Sequence, residues 1–469
     1  MKPISILNHF KTFSIASWGA LLLTTSGAAQ TFDEKFEHWP VDLKINGRII
    51  VDNGTSDYEA VKPLLESVAR DKHVVCFDHA AEDHSAPLGK ALQEAAGSNG
   101  EFRSVSSERF DPDTLRKALN NADLVALRNE HGTPDYSSRL AEFIPAFNRF
   151  IDKGGTLLLD RSVAHLFGEL HPGKTPANAG SSARKGLNIL PSCVLHCEPG
   201  DSERPNNALL DILTAHPRCV GVQLQNNTLL MLSGRKMSCY GIGSATFMLA
   251  ANQRTPFRID TIKTRRSRRQ SQREYLIDLT EWRRDAIDRT IEPFPPANPG
   301  TPFVENGTLV IVGGGGTPRG LMDRLIELAG GKEKARLVYV PCSESDKVQE
   351  TQRTVESWKK SGVRHATFIH TKDRNRAHTD DAFMEPLKNA TGIWFGGGRQ
   401  WNFADSYYGT KTHKLMKDVL RRGGVIGGSS AGASVQARYL ARATPIENFR
   451  IMAPGYERGG LGFISGVAI

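Results

Sequence analysis

The sequence predicts an α/β protein built from two three-layer domains, the first a degenerate copy of the second. Three observations predict it. Short apolar runs alternate with helix-period segments through the later half, the pattern of a parallel sheet covered by helices on both faces. The same order recurs in the earlier half at a nearly constant spacing. Glycine clusters, Gly313–Gly316, Gly396–Gly398 and Gly427–Gly428, close three of the apolar runs, where open sheets of this kind place their sites.

In the later half, Leu309–Val312 reads as a strand, followed by a helix over Leu321–Leu328 and a strand over Arg336–Val340. A helix near Val348–Lys360, a strand near Ala366–Ile369 and a helix near Asp380–Lys388 come next. The strand Gly392–Phe395, a helix over Lys411–Arg421 and the strand Gly424–Gly427 complete the series, with a further helix expected over Ala433–Leu440.

The earlier half repeats the order. Asn46-Gly47 with Ile49–Val51 matches Asn306-Gly307 with Leu309–Ile311, an offset of 260 (46 to 306). His73–Phe77 stands for the second strand. Ala122–Leu127 matches Thr391–Gly396 and Gly154-Gly155 matches Gly423-Gly424, both at 269 (122 to 391, 154 to 423). Gly186–Leu190 resembles Gly460–Ile464. Residues 30–250 therefore read as the degenerate domain, 251–304 as a linker with a Pro-rich end, and 305–469 as the second domain.

Composition suits a globular chain: 469 residues, 39% hydrophobic and 24% charged, with a net charge of +9. Much of the basic excess sits in one run, Lys263, Arg265, Arg266, Arg268, Arg269 and Arg273. The run has no interleaved aromatics and no nucleic-acid motif, so it reads as a solvated loop and no nucleic-acid partner is expected. Lys2 and Lys11, the apolar stretch Phe13–Leu23 and the small residues Ser26–Ala29 have the form of a secretory signal over residues 1–29. The stretch is shorter than a membrane span of ~20 residues, although an uncleaved anchor is the alternative. Export to the periplasm or medium is expected, with no membrane contact after cleavage. Export permits disulfides: Cys193 with Cys197, or Cys219 with Cys239, could pair, whereas Cys76 and Cys342 read as buried thiols. Cys193, His196 and Cys197 lack a second ligand pair, so neither a metal nor another cofactor is expected.

The chemistry points to Ser430. Gly428-Ser429-Ser430-Ala431-Gly432 follows the apolar strand and precedes a predicted helix. This is a nucleophile elbow: the serine takes a strained backbone so that its hydroxyl projects from the strand end, and small flanking residues avoid a clash. The helix start supplies free N–H groups beside it. Gly397 and Gly398, ending the preceding strand, let main-chain N–H groups approach a substrate oxygen, and with Ala431 would form an oxyanion hole. In the earlier half the aligned residues are Asp160-Arg161-Ser162: Arg161 replaces the nucleophile, and Ser162, one step off register, reads as a surface or helix-start hydroxyl.

The elbow Gly427–Ala433, the segment Trp394–Gln400, the opening Val310–Gly316 and the closing Gly460–Val467 resemble the cyanophycinase and dipeptidase E family of serine peptidases. The resemblance covers residues 305–469. It implies a flavodoxin-like, class I glutamine amidotransferase-like fold. It also implies hydrolysis of a peptide or isopeptide beside an acidic residue, as in release of β-Asp-Arg dipeptides from cyanophycin. By it, Ser430 attacks, Gly397 or Gly398 with Ala431 binds the oxyanion, Gln400 contacts substrate and Glu447 is the acidic member, with Glu457 a weaker candidate. Arg399 stands where the family often has Asp or Asn, which changes the charge lining the pocket. The family's base lies in an Asp-Gln-His-like segment after the closing stretch, where this chain stops at Ile469. No histidine follows Ser430, so a truncated product or fragment is expected. His413, on the helix before the elbow strand, reads as solvent-facing, and His196 as a remote substitute from the first copy. The expected partner is a peptide or isopeptide, with a homodimer as the assembly to test. The alternative is an exported binding protein or pseudoenzyme on the same fold.

Overall fold

A computed structural model describes residues 45–78, 87–106, 111–129, 136–172, 183–197, 204–253, 255–267, 269–292, 296–341 and 350–469. The expected signal segment, Arg268 and Cys342 lie outside these residues. The described residues form one compact unit.

Five parallel strands organise each half. In the earlier half these are β1 (Ile45–Asn53), β2 (His73–Asp78), β3 (Glu101–Ser106), β4 (Leu124–Arg128) and β5 (Thr156–Asp160). They are ordered β1-β5-β4-β2-β3. Next along the chain come β6 (Gly168–Pro172), β7 (Ala183–Lys185), β8 (Leu190–His196), β9 (Val220–Leu224) and β10 (Thr228–Gly234). Then follow β11 (Lys236–Gly241), β12 (Ser244–Leu249), β13 (Arg258–Lys263) and β14 (Leu276–Asp278). Strands β10, β11 and β14 extend the first sheet antiparallel beyond β1. The rest form a second sheet, β13-β12-β9-β8-β6-β7.

The later half has β15 (Thr308–Val312), β16 (Arg336–Val340), β17 (His365–Phe368), β18 (Gly392–Phe395) and β19 (Val425–Ser429). Their order, β15-β19-β18-β16-β17, is wholly parallel. It is the order of β1–β5 strand for strand. A small parallel pair, β20 (Ala437–Tyr439) and β21 (Ile464–Ala468), follows as β6 and β8 do in the earlier half.

The correspondence between the two halves extends to single hydrogen bonds. Asn46 Nδ2 donates to Asp152 O and Asn306 Nδ2 to Arg421 O, both at 3.0 Å. Asp123 N–H donates to His73 O at 2.9 Å and Thr391 N–H to Arg336 O at 3.0 Å. Asn188 and Gly462 donate to Gly168 O and Ala437 O, both at 2.9 Å. These bonds correct one alignment: Asp123, not Ala122, is the counterpart of Thr391, so the spacing is 268 at β4 and 269 only from β5.

Sheet strands buried on both faces read as continuous apolar runs. In β5, Leu157 and Leu159 enter a core shared with Phe147, Phe167, Phe247 and Trp282, while Leu158 enters the opposite core with Leu65, Leu92 and Ala126. The core of the later half joins Val312, Leu325, Leu337, Trp358, Trp394 and Val425.

Several expectations are corrected. Residues 251–304 are not simply a linker. β13 pairs along β12, and the helix Leu279–Asp288 buries Leu279, Trp282, Arg284 and Ala286. The first copy also exceeds three simple layers, because the six-stranded sheet shares its core. Cys193, Cys197, Cys219 and Cys239 are free, so neither disulfide forms, and Cys76 is a buried thiol as expected. The helix expected over Ala433–Leu440 is a single turn, Ala431–Ser434, ahead of β20. There Leu461 and Gly462 N–H donate to Val435 O and Ala437 O at 2.8 and 2.9 Å, and these tertiary bonds take the segment out of the helix.

Candidate active site

Ser430 stands at the C-terminal end of β19, between β15 and β18. Its N–H donates to Val312 O at 2.9 Å, and its carbonyl accepts from Ala433 and Ser434 N–H, both at 3.0 Å. Between these anchors the backbone is forced to φ 53°, ψ −116°, a region that is sterically costly for any residue with a Cβ. The side chain is exposed. The turn closes only because its flanks lack side chains. A Cβ on Gly428 would lie 2.4 Å from Gly432 O, and one on Gly432 would lie 2.2 Å from Phe395 O.

The glycine loop after β18 reaches the same place. A Cβ built on Gly397 would lie 3.6 Å from Ser430 Cβ, so the Gly397 main chain passes directly beside the nucleophile. Gly398 follows at φ 141°. Ala431 opens a helical turn, and the first N–H groups of a helix have no acceptor within it. Gly397 and Ala431 thus stand next to Ser430 from two elements. One short turn gives little macrodipole, so any stabilisation there comes from N–H groups.

Arg399 is exposed and precedes the helix Gln400–Tyr407. Gln400 is 5% exposed, and its Nε2 donates to Arg442 O at 2.8 Å. That amide ties the glycine loop to a hairpin in which Arg442 bridges Ile451. Glu447 lies within the same hairpin, its carboxylate paired with Arg273 of the basic run. Glu457 is largely buried; desolvation, reinforced by nearby Asp288, pushes its carboxyl up to about 8.

His413 is not solvent-facing. It is 1% exposed; its Nδ1 accepts from Gly409 N–H at 3.1 Å and its Nε2 donates to Leu461 O at 2.7 Å. Burial, with Lys417 nearby, pushes its pKa down to about 3. Both ring nitrogens are used in the neutral form, so His413 serves packing. His365 and His370 belong to β17 and the turn after it, three strands from β19, which at ~4.8 Å per strand is about 14 Å away. His196 is buried at the end of β8.

At the matching position of the first copy, Asp160 and Asp52 face each other across β5 and β1. Asp160 accepts from Ser162 N–H at 2.9 Å and from Ser162 Oγ at 2.5 Å, and Ser162 Oγ accepts from Asn129 N–H at 2.9 Å. Asp52 accepts from Thr55 N–H and Tyr58 Oη, both at 3.0 Å. Ser162 is therefore a helix-start hydroxyl, as read from sequence, and a hydrogen-bonded plug replaces the elbow.

Sequence reasoning missed the helix Gln400–Tyr407, which is buried on nearly every side, and Asp405 within it. Lack of a polar face hid its helical period.

The family model described as Peptidase family S51 matches residues 303–468. No curated protein matches the chain. Among solved structures, a peptidase from an acI-B1 Actinobacterium is 12% identical, covering 48% of this chain and 97% of its own, with a TM-score of 0.34. A putative peptidase E protein from Listeria monocytogenes EGD-e is 12% identical, covering 42% of this chain and 99% of its own, with a TM-score of 0.30.

Proposed function

Because residues 303–468 match the family model described as Peptidase family S51, we propose that the later half is a serine peptidase or isopeptidase working through an acyl-enzyme at Ser430. The observation that carries this reading is the backbone of Ser430, held at φ 53°, ψ −116° with Gly397 against its side chain. Ser430 Oγ attacks the scissile carbonyl and loses its proton to a base. The oxyanion is received by Ala431 and Gly397 or Gly398 N–H groups, the amine leaves with a proton, and water releases the acyl group. Each such N–H donor contributes about 3–4 kcal/mol to the transition state.

His413 is not the base, since both its nitrogens are bonded. By the family resemblance the base is the histidine of an Asp-Gln-His-like segment, and no histidine follows Ser430 in these 469 residues. Glu447, the acidic residue of the sequence reading, has Arg273 as its partner. The substrate is a peptide or isopeptide, with Arg399 lining its approach. The signal-like N-terminus supports a secreted or periplasmic location, and the assembly to test is a homodimer. A second reading, an exported binding protein, is favoured by the plugged site of the first copy.

A fluorophosphonate probe separates the two. The peptidase reading expects an adduct on Ser430, located by mass spectrometry and abolished in Ser430→Ala. A wild-type protein that forms no adduct on Ser430 under prolonged exposure overturns it.

A further inference from the structure

Resting on the reading of Ser430 as nucleophile, we propose that the earlier half positions the glycine loop of the later half, with Arg235 and Arg284 closing on Asp405. The helix Gln400–Tyr407 starts directly after the loop, so whatever fixes this helix fixes Gly397 and Gly398 against Ser430. Asp405, in its second turn, is 7% exposed. It accepts from Arg235 Nη1 at 2.7 Å, from Arg284 Nη1 at 2.5 Å and from Tyr456 Oη at 3.2 Å. Burial opposes the charged form of Asp405, but Arg235 and Arg284 outweigh it and hold the carboxyl below its usual range.

Both arginines belong to the earlier half. Arg235 lies in the turn between β10 and β11, and its Nε donates to Asp278 Oδ1 at 2.9 Å. Arg284 lies in the helix Leu279–Asp288, with its side chain fully buried and its guanidinium 5.3 Å from the Tyr456 ring centroid. A buried carboxylate deprived of its cations is strongly destabilising where it sits. The helix therefore keeps this place only while the earlier half supplies the charge. The same helix Leu279–Asp288 sends Glu281 to Arg450 of the hairpin at 3.0 Å, and that hairpin receives the Gln400 amide through Arg442. The earlier half thus grips the glycine loop at both ends of the helix that follows it. Its plugged site is consistent with this role, because positioning requires no chemistry of its own. Arg235, Arg284 and Asp405 are positioning residues; none touches the reacting atoms.

The test uses the full chain and two readouts: amide hydrogen exchange over residues 396–408 and the rate of fluorophosphonate labelling at Ser430. In Asp405→Asn and Arg284→Met, exchange over 396–408 is expected to rise about tenfold or more while β16 and β18 keep wild-type protection. Labelling is expected to fall about tenfold or more, because small misplacement of donors is expensive in rate. Arg284→Lys, which keeps a cation, is expected to recover part of both. Wild-type exchange and labelling in Asp405→Asn overturn the proposal, as does a loss of protection spread evenly through the chain. Should the single variants not fold, the triple variant Arg235→Met, Arg284→Met, Asp405→Leu removes the buried charges together, and the same confined rise or its absence decides. If the wild type itself is not labelled, the nucleophile reading fails, and exchange alone then decides whether the earlier half holds the loop.

Discussion

Replacing Ser430 by glycine should stabilise the protein while abolishing its chemistry. The residue sits at φ 53°, ψ −116°, a region costing a residue with a Cβ about 1–3 kcal/mol. Glycine escapes that cost, but its freer unfolded chain takes back about 0.4–1 kcal/mol. The net expectation is a gain of roughly 1 kcal/mol. Ser430→Ala is the reference, because alanine lacks the hydroxyl yet keeps the Cβ and the strain. Urea unfolding of the two variants, followed by tryptophan fluorescence, reads the difference; Trp358 and Trp394 both lie in the core of the later half. With a slope of about 2 kcal/mol per molar urea, the glycine midpoint should lie about 0.5 M above that of alanine. At an ordinary site the sign is opposite, with glycine the weaker. A glycine variant less stable than the alanine variant would mean that residue 430 is not strained, and the elbow argument fails with it.

Two further predictions concern the turn and its surroundings. Gly432→Ala places a Cβ 2.2 Å from Phe395 O; it should cost about 1–3 kcal/mol in urea unfolding, as overpacking does, and slow labelling at Ser430. Glu457 has its carboxyl raised from 4.5 to about 8 by burial, so the folded state holds the proton more tightly than the unfolded chain. Its contribution is therefore fully present below about pH 4.5 and is lost as pH rises towards 8, at up to about 1.4 kcal/mol per pH unit. Glu457→Gln should flatten that part of the stability–pH profile, and an unchanged slope would show that the carboxyl is not buried as described.

Much of the fold is legible along the chain because its cues are local. Leu321–Leu328, Arg336–Val340, Gly392–Phe395 and Lys411–Arg421 fall where apolar period and glycine punctuation place them. Cues fail where distant partners compete. Val435–Tyr439 has the composition of a helix continuing from the elbow, yet backbone bonds from Leu461 and Gly462 claim it for β20. The helix Leu279–Asp288 lies in a stretch whose charges suggest a solvated linker; pairing of Arg284 with Asp405 and of Glu281 with Arg258 and Arg450 is what lets those charges be buried.

By itself the sequence determined the elbow at Ser430 and the alternation of strands and helices along the later half, since glycine spacing and apolar alternation act through steric rules a few residues long. Tertiary structure alone decided that His413 is locked into packing and that Asp405 is held from the other half. Those facts depend on which side chains meet across 48 to 170 residues of chain, and local pattern carries no record of such meetings.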